Sequence, residues 1–451
     1  MTVQTYWAER ALLASGVVTG VVIETGADGR ITAVREGVTT PPTGSVTLRG
    51  LTVPGLANAH SHAFHRALRG VVQAGLGTGA PDSFWTWRKV MYGVAERLTP
   101  DSYFALARAT YAEMALAGIT CVGEFHYLHH APGGTPYANP NAMGEALIAA
   151  AAEAGIRITL LDTCYLSSGF GAGPSRHQLR FSDGTAEQWA QRAAGLKSDA
   201  NTRIGAAVHS VRAVPADQLA TVAGWAQERD APLHVHLSEQ TAENDACVEA
   251  HGFTPAALLA RHGVLGPRTT AVHATHLTPG DIRLLGGSAT GVCMCPTTER
   301  DLADGIGPAR ALQHAGSPLS LGSDSHAVID ILEETRAMEL NERLRSHVRG
   351  NWTTAQLLRA ATADGHAALG WDEAGRIEPG APADLAAITL DSARTAGAPP
   401  GLALETAVFA ATGADVRDTV VGGRHIVRDG VHQLVPEVPR VLAESIAALS
   451  G

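Results

Sequence analysis

The chain has 451 residues, more than one ordinary hydrophobic core accommodates, so we expect a large domain together with a smaller accessory one. Its formal net charge of -10 excludes an electrostatic reason to bind nucleic acid or an anionic membrane, and small molecules are the expected partners. The five cysteines are an odd number without a CxxC pair, which favours reduced thiols and a cytoplasmic protein over a disulfide-bonded secreted one.

Both ends of the chain carry short β-type runs separated by Gly, Pro and Asp. They are GVVTGVVIET and GRITAVREG near the start, and RIEPGAPADLAAITL and VRDTVVGGRHIVRDG near the end. We predict one small β-sandwich domain built from residues 1–52 and 375–451, the second part including a C-terminal helix. The early stretch ALLASGVVTGVVI is preceded by Glu9 and Arg10, is broken by glycines, and lacks a basic n-region or a small-residue cleavage site, so we predict strands there rather than a signal peptide or a membrane span.

The middle of the chain, residues 53–374, alternates apolar β-type runs with Ala/Leu-rich helical stretches. One such stretch, TPDSYFALARATYAEMALAG, opens with a Thr-Pro helix start and closes on Gly. A (β/α)8 TIM-type barrel fits the count of β-type runs better than an open sheet, although their order along the chain alone is compatible with both. The eight runs are LTVPGLAN, GITCVGEF, GIRITLLDT, RIGAAVHS, APLHVHLS, TTAVHAT, ATGVCMCP and SPLSLGSD.

Catalytic residues of such barrels lie at the carboxyl ends of the strands, so polar residues at those positions are the candidates. His60 and His62 follow the first run and are two residues apart, which places both rings on the same side of an extended segment. Imidazole is the commonest nitrogen ligand for zinc, but an isolated HxH pair is a weak signal.

The fifth run, in HVHLSEQ, supplies His236 with Glu239 three positions later. A carboxylate on the loop after a ligand can serve as an acid or base beside a metal-activated water. His234 lies on the same face as His236 but one layer deeper, and we predict a core histidine there.

The sixth and eighth runs end on His273 and Asp324. An aspartate directly after an apolar strand is costly to bury unless a cation or hydrogen-bond donors satisfy it. Polar residues at the ends of strands one, five, six and eight together make a stronger signal than any one of them.

This combination resembles the metal-dependent amidohydrolase superfamily, whose members carry HxH on strand one, histidines after strands five and six, and Asp after strand eight. The resemblance implies that the metal ligands are His60, His62, His236 and Asp324. Binuclear members use a bridging lysine or glutamate, and the strand-four segment RIGAAVHSVRAV has no lysine. One divalent metal, Zn2+, is therefore the expected cofactor.

A zinc ion with an open coordination position lowers the pKa of bound water toward about 7. We expect Asp324 to accept the proton of the water, Glu239 to carry it to a leaving nitrogen, and His273 to stabilise the tetrahedral centre. Because superfamily members with HxxE after strand five are commonly deaminases, the expected reaction is hydrolytic release of ammonia from a C=N carbon.

Substrate recognition is expected from the loops at the same rim. Arg88 lies in the aromatic segment PDSFWTWRKVMY, Tyr127 follows strand two, and His209 and Arg212 follow strand four. Arginine forms bidentate bonds with carboxylates, so two arginines favour a substrate with two carboxylates. The alternative is that both arginines pair with surface acids and that the aromatic segment packs as a lid.

The chain also resembles the formimidoylglutamate deiminase family of histidine degradation. The resemblance lies in the sequence motifs HSHAF, DSFWTWR, EFHYLHH, VHSVRAV, HVHLSEQ and VHATHL. The resemblance implies that N-formimidoyl-L-glutamate is hydrolysed to N-formyl-L-glutamate and ammonia, and that the enzyme is a homodimer. It places His65, Arg88, Tyr127, His209, Arg212 and His273 against the substrate. At His65 the family often has glutamine, which leaves the role of that residue open.

Two other functions remain as alternatives. A deaminase of a nucleoside or guanine-like ring would use the same metal centre, and a barrel without activity could serve as a binding scaffold. Cys293 and Cys295 are spaced like a ligand pair, but we interpret them as core thiols. For His129 and His130 we expect solvated or supporting positions rather than metal ligation.

Overall fold

The computed structural model describes residues 4–73 and 84–449, and its strands form two eight-stranded sheets. One sheet is built from both ends of the chain. Its strands are β1 (Thr5–Leu13), β2 (Gly16–Thr25), β3 (Ile31–Arg35), β4 (Val46–Pro54), β13 (Leu385–Ile388), β14 (Val416–Val421), β15 (Arg424–Arg428) and β16 (Val431–His432).

This terminal sheet has the strand order β16-β15-β14-β13-β4-β1-β2-β3. Its neighbours are antiparallel except for β1 and β4, which run parallel. Tyr6, Val21, Leu48 and Leu385 are fully or almost fully buried and share one core. The predicted small β-domain from both ends of the chain is therefore confirmed, while the boundaries at 52 and 375 stay predictions.

The second sheet is parallel throughout, and each of its strands pairs with the next one along the chain. All eight β-type runs found in the sequence contribute a strand to it. The strands are β5 (Leu56–Ser61), β6 (Ile119–His126), β7 (Arg157–Cys164), β8 (Thr202–Val208), β9 (Leu233–Leu237), β10 (Thr269–His273), β11 (Gly291–Met294) and β12 (Leu319–Leu321).

Helices connect these strands, as the sequence pattern predicts. The Thr-Pro start is observed, because the side chain of Thr99 accepts a hydrogen bond from the Ser102 amide and so caps the second helix. The helices are α1 (Phe84–Arg97), α2 (Pro100–Leu116), α3 (Ala142–Ala154), α4 (Ala186–Ala193), α5 (Leu219–Glu228), α6 (Thr241–His251), α7 (Pro255–Arg261), α8 (Pro279–Gly287), α9 (Pro296–Asp301), α10 (Ala309–Ala315), α11 (Ile331–Ser346), α12 (Thr354–Ala361), α13 (Ala363–Ala368), α14 (Ala403–Phe409) and α15 (Val438–Ala447). Within residues 4–73 and 84–449, none of them combines the length and the hydropathy needed to cross a membrane.

The first and last strands of the parallel sheet meet and close the barrel. Ser61 and Asp324 form a parallel β-bridge, and the Asp324 amide donates to the His60 carbonyl at 3.0 Å. The side chain of Asn58 accepts from the Ser323 amide at 2.9 Å and donates to the Ser323 hydroxyl at 2.7 Å. The predicted (β/α)8 barrel is confirmed, and its strand ends lie at one rim.

Gly322 lies at the contact between the first and last strands, which we call the seam, and its surroundings show how tightly this contact is packed. A Cβ atom on Gly322 would lie 2.7 Å from the Cβ of His60 and 2.9 Å from its backbone nitrogen and oxygen. We predict that Gly322→Ala destabilises the protein by about 1–3 kcal/mol because the two strands must separate. The shift of the urea unfolding midpoint measures this effect.

The matched control is Gly224→Ala in α5, where an added Cβ meets no atom of the described residues within 4 Å. Because alanine favours a helix interior over glycine by about 1 kcal/mol, this variant should unfold at the same or a higher urea concentration. Equal destabilisation by both substitutions would contradict a tight seam between the first and last strands.

Candidate active site

Four side chains predicted as metal ligands converge at the barrel rim. His60 and His62 come from the end of β5, His236 from β9, and Asp324 follows β12. One ligand atom of each lies within 4.8 Å of all the others. Asp324 Oδ1 is 3.3 Å from Nε2 of both His60 and His62, and the Nε2 atoms of His60 and His236 are 3.1 Å apart.

The backbone orients two of these imidazoles. His62 Nδ1 is 2.9 Å from the Phe125 carbonyl, and His236 Nδ1 is 2.9 Å from the His209 carbonyl. A proton held on Nδ1 by a carbonyl leaves Nε2 free as a ligand, the usual arrangement around metal-binding histidines. Three imidazole nitrogens and one carboxylate oxygen, from three buried residues and the half-buried His236, therefore fit a single divalent cation.

The backbone at these strand ends adopts unusual conformations. Ser238, His273, Ala274, Asp324 and His326 all have positive φ angles, between 42° and 66°. Such conformations cost non-glycine residues roughly 1–3 kcal/mol each and cluster at functional sites. Their concentration after β9, β10 and β12 indicates that the rim is shaped for a site rather than for stability.

Glu239 and His273, predicted as catalytic residues, lie beside the ligands. Nε2 of His273 is 3.7 Å from Glu239 Oε1 and 3.7 Å from Asp324 Oδ2. Burial raises the pKa of Glu239; the charge of His273 opposes the rise and that of Asp324 adds to it. Although burial opposes a charged imidazole, the carboxylates of Glu239, Glu299 and Asp324 raise the pKa of His273 well above its ordinary value.

The sequence analysis did not identify Glu299, which contacts His273 from the other side. Its Oε1 lies 3.5 Å from His273 Nδ1 and accepts a hydrogen bond from the Cys295 amide at 2.9 Å. Asp304 was also missed: its Oδ1 accepts from Gln240, and burial, with the charge of Glu239, raises its pKa to about 8. Neither carboxylate has a spacing pattern that would reveal it, because α9 and the loop after it bring them to the rim.

All the residues predicted to bind substrate line one cavity with the catalytic residues. The predicted members of this lining are His65, Arg88, Tyr127, His209 and Arg212. The lining that sequence reasoning missed consists of Trp87, Met91, Tyr92, Tyr165, Phe181 and Leu302. We call this space the catalytic cavity.

Arg88 is held in this cavity by two tyrosines. Its guanidinium donates to the Tyr165 hydroxyl at 3.0 Å and lies 5.3 Å from the ring centre of Tyr92. Arg88 belongs to α1, and the beginning of its aromatic motif, Asp82 and Ser83, lies outside the described residues.

Within the residues that the structure describes, Arg212 forms one ion pair and keeps one hydrogen-bond donor without a partner. Its Nε donates to Glu243 Oε2 at 3.2 Å, whereas its buried Nη1 has no hydrogen-bond partner among residues 4–73 and 84–449. Glu243 is a further residue that the sequence analysis did not single out. Thus the alternative that Arg212 pairs with an acid is correct in part, but the acid lies at the cavity and a donor remains for a ligand.

His65, Tyr127 and His209 complete the polar side of the catalytic cavity. His65 Nε2 lies 3.2 Å from the Tyr127 hydroxyl. Burial lowers the pKa of His65 well below its ordinary value, so a neutral ring is expected there. Burial, and then the charges of Arg212 and Arg88, also lower the pKa of His209 well below its ordinary value.

Other histidines and cysteines of the sequence lie away from this cavity. Of the two positions expected for His129 and His130, the solvated one is wrong, because both are buried; His129 Nε2 lies 2.8 Å from the Thr163 carbonyl and His130 Nε2 lies 3.0 Å from Asp183. His234 is fully buried and contacts the Ala368 carbonyl at 2.8 Å, as expected of a core histidine. Cys293 and Cys295 are buried free thiols, as predicted.

His126, His129 and Asp162 also bring three possible ligand atoms together. The carboxylate of Asp162 is already satisfied, since it accepts two bonds from Arg192 and one from Trp189. This cluster is therefore interpreted as a buried polar network between the barrel and α4 rather than a second metal centre.

Comparison with known proteins agrees with this geometry. The model of the amidohydrolase family matches residues 51–426. The chain belongs to the amidohydrolase family. Family membership, together with an intact ligand set and an adjacent carboxylate, identifies a hydrolase acting on C–N bonds at a divalent metal, and it leaves the inactive scaffold without support.

Individual relatives cover nearly the whole chain. Formimidoylglutamate deiminase of Pseudomonas aeruginosa is 38% identical over 437 residues, which are 94% of this chain and 95% of that protein. The 8-oxoguanine deaminase of the same species is 32% identical, covering 89% and 88%. A crystal structure of an amidohydrolase from Brucella melitensis superposes with a TM-score of 0.90 at 34% identity, covering 99% of this chain and all of that one.

Metal analysis of a ligand variant tests the centre. We predict that His236→Ala lowers bound transition metal at least about tenfold, because one of four ligands is lost. Elemental analysis of protein purified without chelators measures it.

The matched control is His234→Gln, two residues earlier on the same strand and outside the centre. It should keep the metal content of the unaltered protein even if it is less stable. Metal retained by the His236 variant, or lost equally from both, would contradict the assignment.

Proposed function

We propose that this chain hydrolyses N-formimidoyl-L-glutamate to N-formyl-L-glutamate and ammonia. The observation that carries the proposal is the placement of Arg88 and Arg212 in the same cavity as the metal ligands and Glu239. Two arginines suit a substrate with two carboxylates, and the relative at 38% identity is a formimidoylglutamate deiminase.

Zinc is the metal we propose, held by His60, His62, His236 and Asp324. Three imidazoles and a carboxylate are ligands that zinc accepts, and β8 offers no lysine to bridge a second ion. Bound there, the metal would lower the pKa of a water molecule in its open position and polarise the C=N carbon.

The remaining chemistry belongs to side chains of the cavity. Asp324 Oδ2, on the side of His273, can take a proton from the attacking water. Glu239 has a raised pKa and can deliver a proton to the leaving nitrogen, which departs as ammonia. His273, which lies between Glu239 and Glu299, stabilises the tetrahedral centre that forms when water adds to the C=N carbon.

Substrate binding is assigned to the polar residues of the catalytic cavity that have no part in the proton transfers. Arg212 presents its unpartnered Nη1 to one carboxylate, and Arg88, held by Tyr165, presents its guanidinium to the other. Tyr127, His65 and His209 supply hydrogen bonds to the glutamyl part. As a neutral ring, His65 can donate from one nitrogen, as the glutamine amide of the family would.

A ring deaminase is the second candidate, since relatives at 32% and 30% identity are deaminases of 8-oxoguanine and of 5-methylthioadenosine/S-adenosylhomocysteine. A neutral ring would leave the buried Arg212 donor without an anionic partner, which favours the dicarboxylate. We also propose a cytoplasmic homodimer acting in histidine degradation; the five buried free thiols are consistent with a reducing compartment.

Glu239→Gln tests the proton carrier. We predict that kcat for ammonia release falls about 10²- to 10⁴-fold while KM changes little, because the amide keeps the shape of the side chain but cannot transfer a proton. Steady-state assays on N-formimidoyl-L-glutamate, guanine and adenosine measure it. Asp245→Asn, an exposed change on α6, is the control and should behave as the unaltered enzyme. Turnover of the rings alone would contradict the proposed substrate.

Arg212→Ala tests the carboxylate anchor. Loss of a charge-assisted hydrogen bond of about 1.5–3 kcal/mol should raise KM roughly 10- to 100-fold with a smaller change in kcat. This variant leaves the carboxylate of Glu243 without its partner, which can lower the stability of the protein. The double variant with Glu243→Gln therefore separates the effect on substrate binding from the effect on stability. The double variant should keep the raised KM; a KM restored to the original value would refute the anchor.

A further inference from the structure

A groove adjoins the catalytic cavity, and the two spaces share the side chains of Glu239 and Arg212. The groove has a volume of about 480 Å³. Its other walls are Phe170, from the loop after β7, and one face of α6. Glu239 and Arg212 therefore lie at the boundary between the two spaces, and a ligand group that reaches past Glu239 would enter the groove.

The chemistry of the groove is largely apolar. Ala242, Ala246 and Ala250 follow one another at four-residue spacing on α6, so their small side chains share one face opposite Phe170. Three acids, Glu239, Glu243 and Glu249, also line the groove, and Glu243 is engaged by Arg212. The surface consequently suits an uncharged, apolar group rather than a second carboxylate.

The position of the groove determines which part of the substrate can reach it. Of the residues assigned to the glutamyl part, His65, Arg88, Tyr127 and His209 line the catalytic cavity and not the groove, whereas Arg212 lines both. Glu239, assigned to the leaving nitrogen, lines both, and the next residue, Gln240, lines the groove. A substituent on the leaving nitrogen is thus directed toward α6.

We propose that the enzyme also hydrolyses N′-substituted formamidines whose leaving nitrogen carries an apolar group, releasing a primary amine instead of ammonia. For a neutral amidine R–N=CH–NH–R′, the water oxygen becomes the formyl oxygen, the bond from carbon to the R-bearing nitrogen breaks, and both water protons end on that nitrogen. The products are the formamide and R–NH2. This inference rests on the proposed function, because it uses the same glutamyl anchors and the same role of Glu239.

The test compares N-formimidoyl-L-glutamate with its N′-benzyl derivative. The expected result is release of benzylamine by the unaltered enzyme with kcat/KM within about tenfold of ammonia release from the parent compound. Ala246→Trp, which fills the groove, should lower kcat/KM for the benzyl compound at least about tenfold and change the parent reaction less than about twofold.

Val248→Trp is the matched control, since Val248 is an exposed residue of α6 outside the groove. It should leave both reactions unchanged. Absence of benzylamine release while the parent reaction proceeds would overturn the inference, and so would an equal loss of both reactions in the Ala246 variant. Failure of the proposed function is detected separately, because the unaltered enzyme would then release no ammonia from N-formimidoyl-L-glutamate. That result overturns the inference as well.

Discussion

The contact between the first and last strands of the barrel is the constraint on which the site depends. The Asp324 amide donates to the His60 carbonyl, and the His62 amide, at 3.4 Å, faces the Asp324 carbonyl. The side chains of the same three residues meet at 3.3 Å. Closing the barrel therefore also brings three of the four predicted ligands together, because His60, His62 and Asp324 pair the strands as well.

Four carboxyl groups lie around the predicted metal site. Asp324, Glu239, Glu299 and Asp304 surround His273 and raise its pKa or have their own pKa raised by burial, that of Asp304 to about 8. A bound divalent cation balances part of this buried negative charge, which would otherwise be costly. The guanidinium groups of Arg88 and Arg212 line the same cavity, so the proposed substrate, with its amidine and two carboxylates, would find partners for both kinds of group there.

The sequence predicted those parts of the site that follow from strand periodicity. His60, His62, His236 and Asp324 could be located because each comes at the end of an apolar run, where a barrel puts its chemistry. Glu299, Asp304 and Glu243 could not, because loops and short helices of no regular pattern bring them to the rim. The burial of His129 and His130 could not be predicted for a related reason: they follow a strand, but Arg180, Asp183 and Thr163 from other segments contact them.

The central claim is that four side chains from distant parts of the chain bind one cation at the mouth of the barrel. Anomalous diffraction at the zinc edge, from crystals grown without chelators, examines it most directly. The account predicts one strong peak within about 2.3 Å of a ligand atom of each of His60, His62, His236 and Asp324. A peak among His126, His129 and Asp162 instead, or none at the barrel mouth, would contradict it.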